Sequence, residues 1–227
     1  MTAVGKIGFI TIGQSPRTDV VPEIREILGR DVQILEAGAL DGLDRAEIEA
    51  LGPEQGCENV LVSRLRDGSW VTMDEKKLLP LLEERISRLE EQGAGLAVLL
   101  CTGPFPRLGS GGIPVIYPFR LMETVFPCFS VRGRVGIVTP DEKQKELCMG
   151  KWSPVMKHVA VTVCNPYDRD CSLEQAAMDM RNADPDFIVL DCIGYNKEMK
   201  QKMEQLTGKP VILPRGFLAG VIREWCG

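Results

Sequence analysis

Histidine is almost missing from this chain: His158 is its single example among 227 residues. No Cys-x-x-Cys occurs either. Metal sites draw on close Cys and His pairs, so no metal is expected. His158, isolated in Met156-Lys-His-Val-Ala160, reads as a strand-edge or surface residue rather than a catalytic base. No apolar run approaches the ~18 residues that a bilayer crossing needs. The N-terminal stretch to Ile10 lacks a basic region, a sustained apolar run and a small-residue cleavage site. It does not read as a signal peptide, and a cytoplasmic location is expected. The net charge of −5 gives no electrostatic footprint for nucleic acid or an anionic membrane, so neither is expected as a partner. Lys76-Lys77 shares a helix-like segment with Glu75, Glu83 and Glu84 and reads as a solvated face. The glycines at 109, 111 and 112 precede no phosphate-loop lysine, and Gly-x-Gly-x-x-Gly follows no strand-like run.

What the chain does have is a core-forming composition, 44% hydrophobic and 26% charged, over a length that suits one large domain or two small ones. Its eight cysteines, at 57, 101, 128, 148, 164, 171, 192 and 226, are irregularly spaced. Without a signal segment they are expected as free thiols. Six of them read as small buried hydrophobes or surface residues. Cys101 and Cys192 stand apart. Gly95-Leu-Ala-Val-Leu-Leu-Cys-Thr-Gly103 and Asp186-Phe-Ile-Val-Leu-Asp-Cys-Ile-Gly194 are each an apolar run ending in cysteine, one residue and glycine. Each reads as a buried strand emerging into a loop.

Strand-like and helix-like segments alternate along most of the chain, which predicts an α/β protein with parallel sheets. Lys6 to Thr11 is a strand, followed by a loop through Gly13-Gln-Ser-Pro-Arg17 and a helix capped by Thr18 or Asp19 that runs to about Leu28. A second strand spans Asp31 to Leu35 and a short helix Asp41 to Leu51. Residues 59–64 and 69–73 flank Arg66-Asp67-Gly68 and read as a hairpin inserted beside the sheet. The longest helix runs from Asp74 to Gln92, with Leu78, Leu79, Leu82, Ile86 and Leu89 on one face. Past the first cysteine strand come a short strand at 114–118 and a helix at 119–126. The second half gives strands at 134–139, 158–164, 186–191 and 210–214. Its helices are expected at Asp141–Cys148, Ser172–Arg181 and, capped by Asn196, on to about Leu206. An amphipathic helix closes the chain.

Three segments recur in the same order. Gly5-Lys-Ile-Gly-Phe-Ile-Thr11 matches Gly133-Arg-Val-Gly-Ile-Val-Thr139, the cysteine strands match each other, and Pro114-Val-Ile-Tyr-Pro118 matches Pro210-Val-Ile-Leu-Pro214. This predicts two similar lobes related by pseudo-two-fold symmetry with a cleft between them. One is 1–118, carrying the hairpin near 59–73 and joined by a C-terminal helix at 215–227. The other is 119–214. Ligands of parallel sheets bind beyond the carboxyl ends of the strands. That edge carries Gln14, Ser15, Arg17, Cys101, Thr102, Thr139, Asp191 and Cys192.

Moving a proton off carbon beside a carboxylate and back on the other face needs a base on one side and an acid on the other. A thiolate and a thiol can serve, with neither metal nor pyridoxal phosphate required, so no cofactor is expected. Cys192 is the expected principal acid/base and Cys101 its counterpart, with the two sulfurs facing one cavity within ~10 Å. Thr11, Ser15, Thr102 and Thr139 are candidate hydrogen-bond donors to the carboxylate. Asp191, a carboxylate on an apolar strand, must be paired or sit at the mouth, where it holds a cation or acts as an alternative base. Arg17 or Arg64 is its candidate partner, or a clamp for the ligand carboxylate. Gly103, Ile193, Gly194 and Tyr195 complete the set beside the cysteines.

Ile10-Thr-Ile-Gly13, Pro53-Glu-Gln-Gly56 ahead of the strand with Leu61 and Arg64, and above all Leu190-Asp-Cys-Ile-Gly-Tyr195 make the chain resemble the AroM family nearly end to end. That family is similar to the aspartate/glutamate racemase superfamily. The resemblance implies a cofactor-independent racemase, isomerase or decarboxylase acting on a small carboxylate. Racemases carry Gly-Cys-Thr-His at the second cysteine, whereas this chain has Asp191-Cys-Ile-Gly194. A second expectation follows from that difference: a non-catalytic carboxylate-binding or sensor protein that keeps the cleft. The oligomeric state is open, with a homodimer as one option.

Overall fold

The computed structural model describes residues 5–29, 31–109, 112–129, 132–168 and 171–226. Met1, Gly111 and Gly227, which enter the readings above, lie outside them. The described chain divides into two compact units, residues 5–118 with 215–226, and residues 119–214.

The first unit runs β1 (Lys6–Thr11), α1 (Val21–Leu28), β2 (Gln33–Gly38), α2 (Arg45–Ala50), β3 (Val60–Arg64), β4 (Trp70–Asp74), α3 (Glu75–Glu91), β5 (Leu96–Leu100) and β6 (Val115–Ile116). Its sheet has the order β2-β1-β5-β6, and every pairing is parallel. The strands are continuous apolar runs because helices and loops cover them: all of β5 is buried, and so is β1 beyond Lys6. One face of α3, through Leu78, Leu82, Ile86 and Leu89, packs into a core shared with Ile10, Ala97 and Leu99. The hairpin is present: β3 and β4 pair antiparallel from Val60 with Asp74 to Arg64 with Trp70, as a separate two-stranded sheet. It is not a surface appendage, since Leu61 and Met73 are fully buried in the same core.

The second unit runs α4 (Pro118–Val125), a 3-10 turn (Phe126–Cys128), β7 (Arg134–Thr139), a 3-10 turn (Glu142–Gln144), α5 (Lys145–Trp152), β8 (His158–Val163), α6 (Leu173–Ala183), β9 (Phe187–Leu190), α7 (Lys197–Thr207) and β10 (Val211–Ile212). The chain ends in α8 (Pro214–Cys226), which is counted with the first unit from 215 on. There Arg215 Nη1 donates to the Asp19 carbonyl at 2.8 Å and pairs with Glu23 at 3.4 Å. The second sheet, β10-β9-β7-β8, is also wholly parallel. It repeats the first when β7, β8, β9 and β10 are set against β1, β2, β5 and β6. The registers agree: Ile10 pairs with Leu99, and its counterpart Val138 pairs with Leu190, the counterpart of Leu99. His158 is exposed at the start of the edge strand β8.

Several local expectations change. The helix α1 has no side-chain cap, because the Asp19 carboxylate is bound by Arg17 instead. The segment read as a helix from Asp41 begins at Arg45, behind a capping box made by Asp44 and Glu47. The helix expected at 141–148 opens as a 3-10 turn capped by Asp141 and continues to Trp152. Cys164 and Cys171 are joined as a disulfide, their Cα atoms 5.4 Å apart, which corrects the expectation that all eight cysteines are free. The turn after β8 and the Ser172 cap of α6 bring them together, a closeness that spacing alone does not reveal.

Because Met73 is completely buried against α3 and β5, Met73→Ala is expected to destabilise the protein by about 2–5 kcal/mol in urea unfolding. A decorative hairpin would give a change under about 0.5 kcal/mol.

Candidate active site

In the first unit, parallel pairing brings the carboxyl ends of β1, β2 and β5 to one edge. Register sets Thr11 beside Gly38 and Leu100, so the loops starting at Ile12, Ala39 and Cys101 emerge together. The loop after β1 is tightly organised. Ser15 donates to Asp41 twice, from its backbone N–H at 2.8 Å and from its hydroxyl at 2.5 Å, and the Gly38 N–H donates to the same carboxylate at 2.7 Å. A Cβ on Gly38 would come within 2.6 Å of the Gly13 carbonyl and the Ser15 nitrogen, so only glycine permits this approach. Arg17 is buried; its guanidinium forks onto Asp19 at 2.8 Å and donates to Thr11 Oγ1 at 3.0 Å. Burial alone would raise the Asp19 carboxyl, but the Arg17 hydrogen bonds and charge hold it below the usual carboxylate range.

The hairpin closes over this loop. Arg66 donates from Nε to the Ser15 carbonyl at 2.7 Å, from Nη2 to Asp41 at 2.8 Å and from its backbone to Gln14 Oε1 at 2.9 Å. The result is a cavity of about 230 Å³ lined by Gln14, Arg17, Thr18, Asp19, Arg64 and Arg66, with Pro16 and Leu65. Arg17 and Arg66 spend their guanidiniums on Asp19 and Asp41. Among the described residues no hydrogen bond or ion pair engages the half-buried Arg64 guanidinium. Its charge makes the cavity suitable for a small anion.

Cys101 follows β5 and is half-buried, and the Gly103 N–H points to its Sγ at 3.5 Å. Thr102 is buried. In the second unit Cys192 sits at the matching strand end, one residue past Asp191, with the Gly194 N–H on its Sγ at 3.4 Å. Here a second group approaches: Tyr167 Oη lies 3.9 Å from Cys192 Sγ. Tyr167 also lines a cavity of about 330 Å³, together with Asn165, Leu173, Glu198, Met199 and Lys202.

Over residues 7–226 the chain matches the family described as AroM protein. The chain belongs to the AroM family. No curated protein matches it in sequence. Its fold is that of several solved enzymes. Glutamate racemase from Aquifex pyrophilus is 14% identical with a TM-score of 0.61, covering 98% of this chain and 84% of that one. The maleate isomerase of Pseudomonas putida is 16% identical with a TM-score of 0.60, covering 96% and 90%. An arylmalonate decarboxylase is 16% identical with a TM-score of 0.56, covering 98% and 92%. At these identities the likeness is one of fold. The two-lobed α/β, racemase-like architecture expected of an AroM chain is therefore established.

Several candidates turn out to be engaged within the AroM fold. The Ser15 hydroxyl is committed to Asp41, and Thr139 Oγ1 donates to Gln144 Oε1 at 2.9 Å. Thr11 accepts from Arg17 and from the Gly13 N–H. Tyr195 is completely buried and donates to the Cys164 carbonyl; burial holds its phenol well above the usual range. Ile193 is buried beside it.

Asp191 is bound from α5 of its own unit. Lys151 Nζ lies 2.6 Å from its Oδ2, and Trp152 Nε1 donates to the same oxygen at 3.1 Å. The Lys151 ammonium, over the Phe119 and Trp152 rings, is thus the cation that Asp191 holds. Cys148 contacts this oxygen too, and burial pushes its thiol up to about 11.

Sequence reasoning missed Asp41, Arg66, Lys151 and Tyr167. Asp41 read only as the start of a helix and Arg66-Asp67-Gly68 only as a hairpin turn, and Lys151 and Tyr167 reach their partners across the fold.

Two tests follow. Lys151→Met leaves a buried carboxylate without its counter-ion and is expected to cost about 3–5 kcal/mol, while Lys151→Met with Asp191→Leu recovers much of that loss in denaturant unfolding. Asp19 has a folded pKa below its unfolded value, so its contribution is present above about pH 4 and is lost as pH falls through the folded pKa. Asp19→Asn is expected to flatten the acid limb of a stability–pH curve in that window and lower stability near pH 7.

Proposed function

We propose that this protein is a cofactor-independent enzyme that moves a proton at the carbon beside the carboxylate of a small acid. Cys192 is the principal acid/base and Cys101 the second. The observation that carries this reading is the recurrence of one local arrangement at two equivalent strand ends: a cysteine whose Sγ accepts from the N–H of the glycine two residues on. Backbone N–H groups aimed at sulfur favour its thiolate form, the form that takes a proton. Fold relatives that are racemases, an isomerase and a decarboxylase support the reaction class.

In this reading a thiolate Sγ removes the proton, the carbon–hydrogen electron pair moves into the carboxylate to give an enediolate, and a thiol returns a proton to the carbon. Decarboxylation uses the second half alone: carbon dioxide leaves, the carbon–carbon electron pair stays behind and spreads into a second, remaining carboxylate, and a thiol protonates the carbon. Either way the cost is the negative charge that builds on the carboxylate oxygens. Ser15 and Thr139 have spent their hydroxyl hydrogens internally, so the role of carboxylate anchor passes to Arg64 at the first unit's cavity. A small carboxylate is the proposed ligand, and a cytoplasmic location goes with the reading. Among the described residues no helix is long and apolar enough to cross a membrane.

Solvent-deuterium exchange into a panel of amino, hydroxy and dicarboxylic acids, read by mass spectrometry, tests the proposal. Exchange into one class is expected, falling by at least about 10²-fold in Cys192→Ser. Arg64→Gln is expected to raise the acid concentration needed for half-maximal exchange about tenfold or more. Thermal stabilisation by an acid without exchange into any acid would favour the binding or sensor reading.

A further inference from the structure

Both strand-end sulfurs receive a glycine N–H, and at Cys192 a phenol also approaches. Tyr167 arrives from the loop after β8, where its own backbone N–H donates to Asn165 Oδ1 at 2.9 Å, fixing the turn that presents the ring. The sequence has made room for it. A Cβ on Gly194 would sit 2.2 Å from Tyr167 Oη and 2.4 Å from Cζ, so any side chain there would push the phenol away. Glycine at 194 is therefore tied to Tyr167 as well as to the loop.

We propose that Tyr167 is a positioning residue for Cys192, its phenol donating to Sγ and, together with the Gly194 N–H, cradling the thiolate. The role rests on the reading of Cys192 as the reacting group. Two donors on one sulfur favour its charged form and fix the direction of its lone pairs. At neutral pH a phenol is itself uncharged and serves as donor. Tyr167 also lines the 330 Å³ cavity. The other titratable groups around Cys192 are Asp191 with its Lys151 counter-ion, the Cys148 thiol and the Tyr195 phenol. Tyr195 is occupied by the Cys164 carbonyl, and Asp191 by Lys151 and Trp152.

The test needs no substrate. Alkylation of Cys192 by iodoacetamide is followed across pH, with its peptide quantified by mass spectrometry so that the other thiols do not interfere. Tyr167→Phe keeps the ring and removes the donor; the alkylation midpoint is expected to rise by about one pH unit, lowering the rate below it about tenfold. Gly194→Ala is expected to move the midpoint in the same direction by displacing the phenol. An unchanged midpoint in a Tyr167→Phe protein whose thermal transition matches the parent overturns the proposal, even if Gly194→Ala shifts it. The proposal fails separately from the enzyme reading. A shifted midpoint without deuterium exchange leaves Tyr167 as the partner of a non-catalytic thiol. Exchange that depends on Cys192 but tolerates Tyr167→Phe leaves the enzyme without this residue.

Discussion

Parallel strand register is the constraint on which the rest of this structure depends. A parallel sheet sends every strand's carboxyl end to one edge, so residues distant in sequence meet there without further instruction. In the first unit the pairing of Thr11 with Gly38 and Leu100 assembles the Gln14–Arg17 loop, the Asp41 turn and Cys101. In the second, Val138 against Leu190 sets Asp191 and Cys192 just beyond the strand that follows the same path. A register slip of one residue would exchange the two faces of β1 or β7, both of them buried, and misfit the packing on each side. Site geometry is in this sense a by-product of core packing.

The fold was legible because its signals are local and repeated. Alternating apolar runs and helical periodicity mark the strands and helices, and the three matched segments reappear as equivalent strands in two sheets of the same order. The hairpin was legible from Arg66-Asp67-Gly68, and the Asn196 cap of α7 from its own side chain, which accepts from the Met199 N–H. Where expectation and structure part, a long-range partner has taken a side chain that the local reading spent elsewhere. Asp19 looks like a helix cap in isolation, yet Arg17 claims it. Asp41 looks like the start of a helix, yet Ser15, Gly38 and Arg66 converge on it.

The candidate site was half legible for the same reason. Residue types and strand-end positions single out Cys101, Cys192, Arg17 and Arg64, and three of the expected residues, Gln14, Arg17 and Arg64, line one cavity. Hydrogen-bond commitments were not legible. A hydroxyl at a strand end is equally available to a ligand or to a neighbour, and only the folded chain reveals that Ser15 and Thr139 have chosen neighbours. Asp191 is the clearest case. Sequence alone requires that a carboxylate on an apolar strand be paired. It does not say that the partner is Lys151, three residues after Cys148 and one helix away.

The buried Lys151–Asp191 pair also bears on how the Cys192 strand end is held. Such a pair is seldom worth more to stability than apolar side chains of the same volume, so its retention points to placement. Asp191 immediately precedes Cys192, and its carboxylate is tied by Lys151 and Trp152 on α5, while its neighbour's sulfur meets Tyr167. Anchored at one residue and approached at the next, the backbone at 191–194 has little freedom to rotate the sulfur.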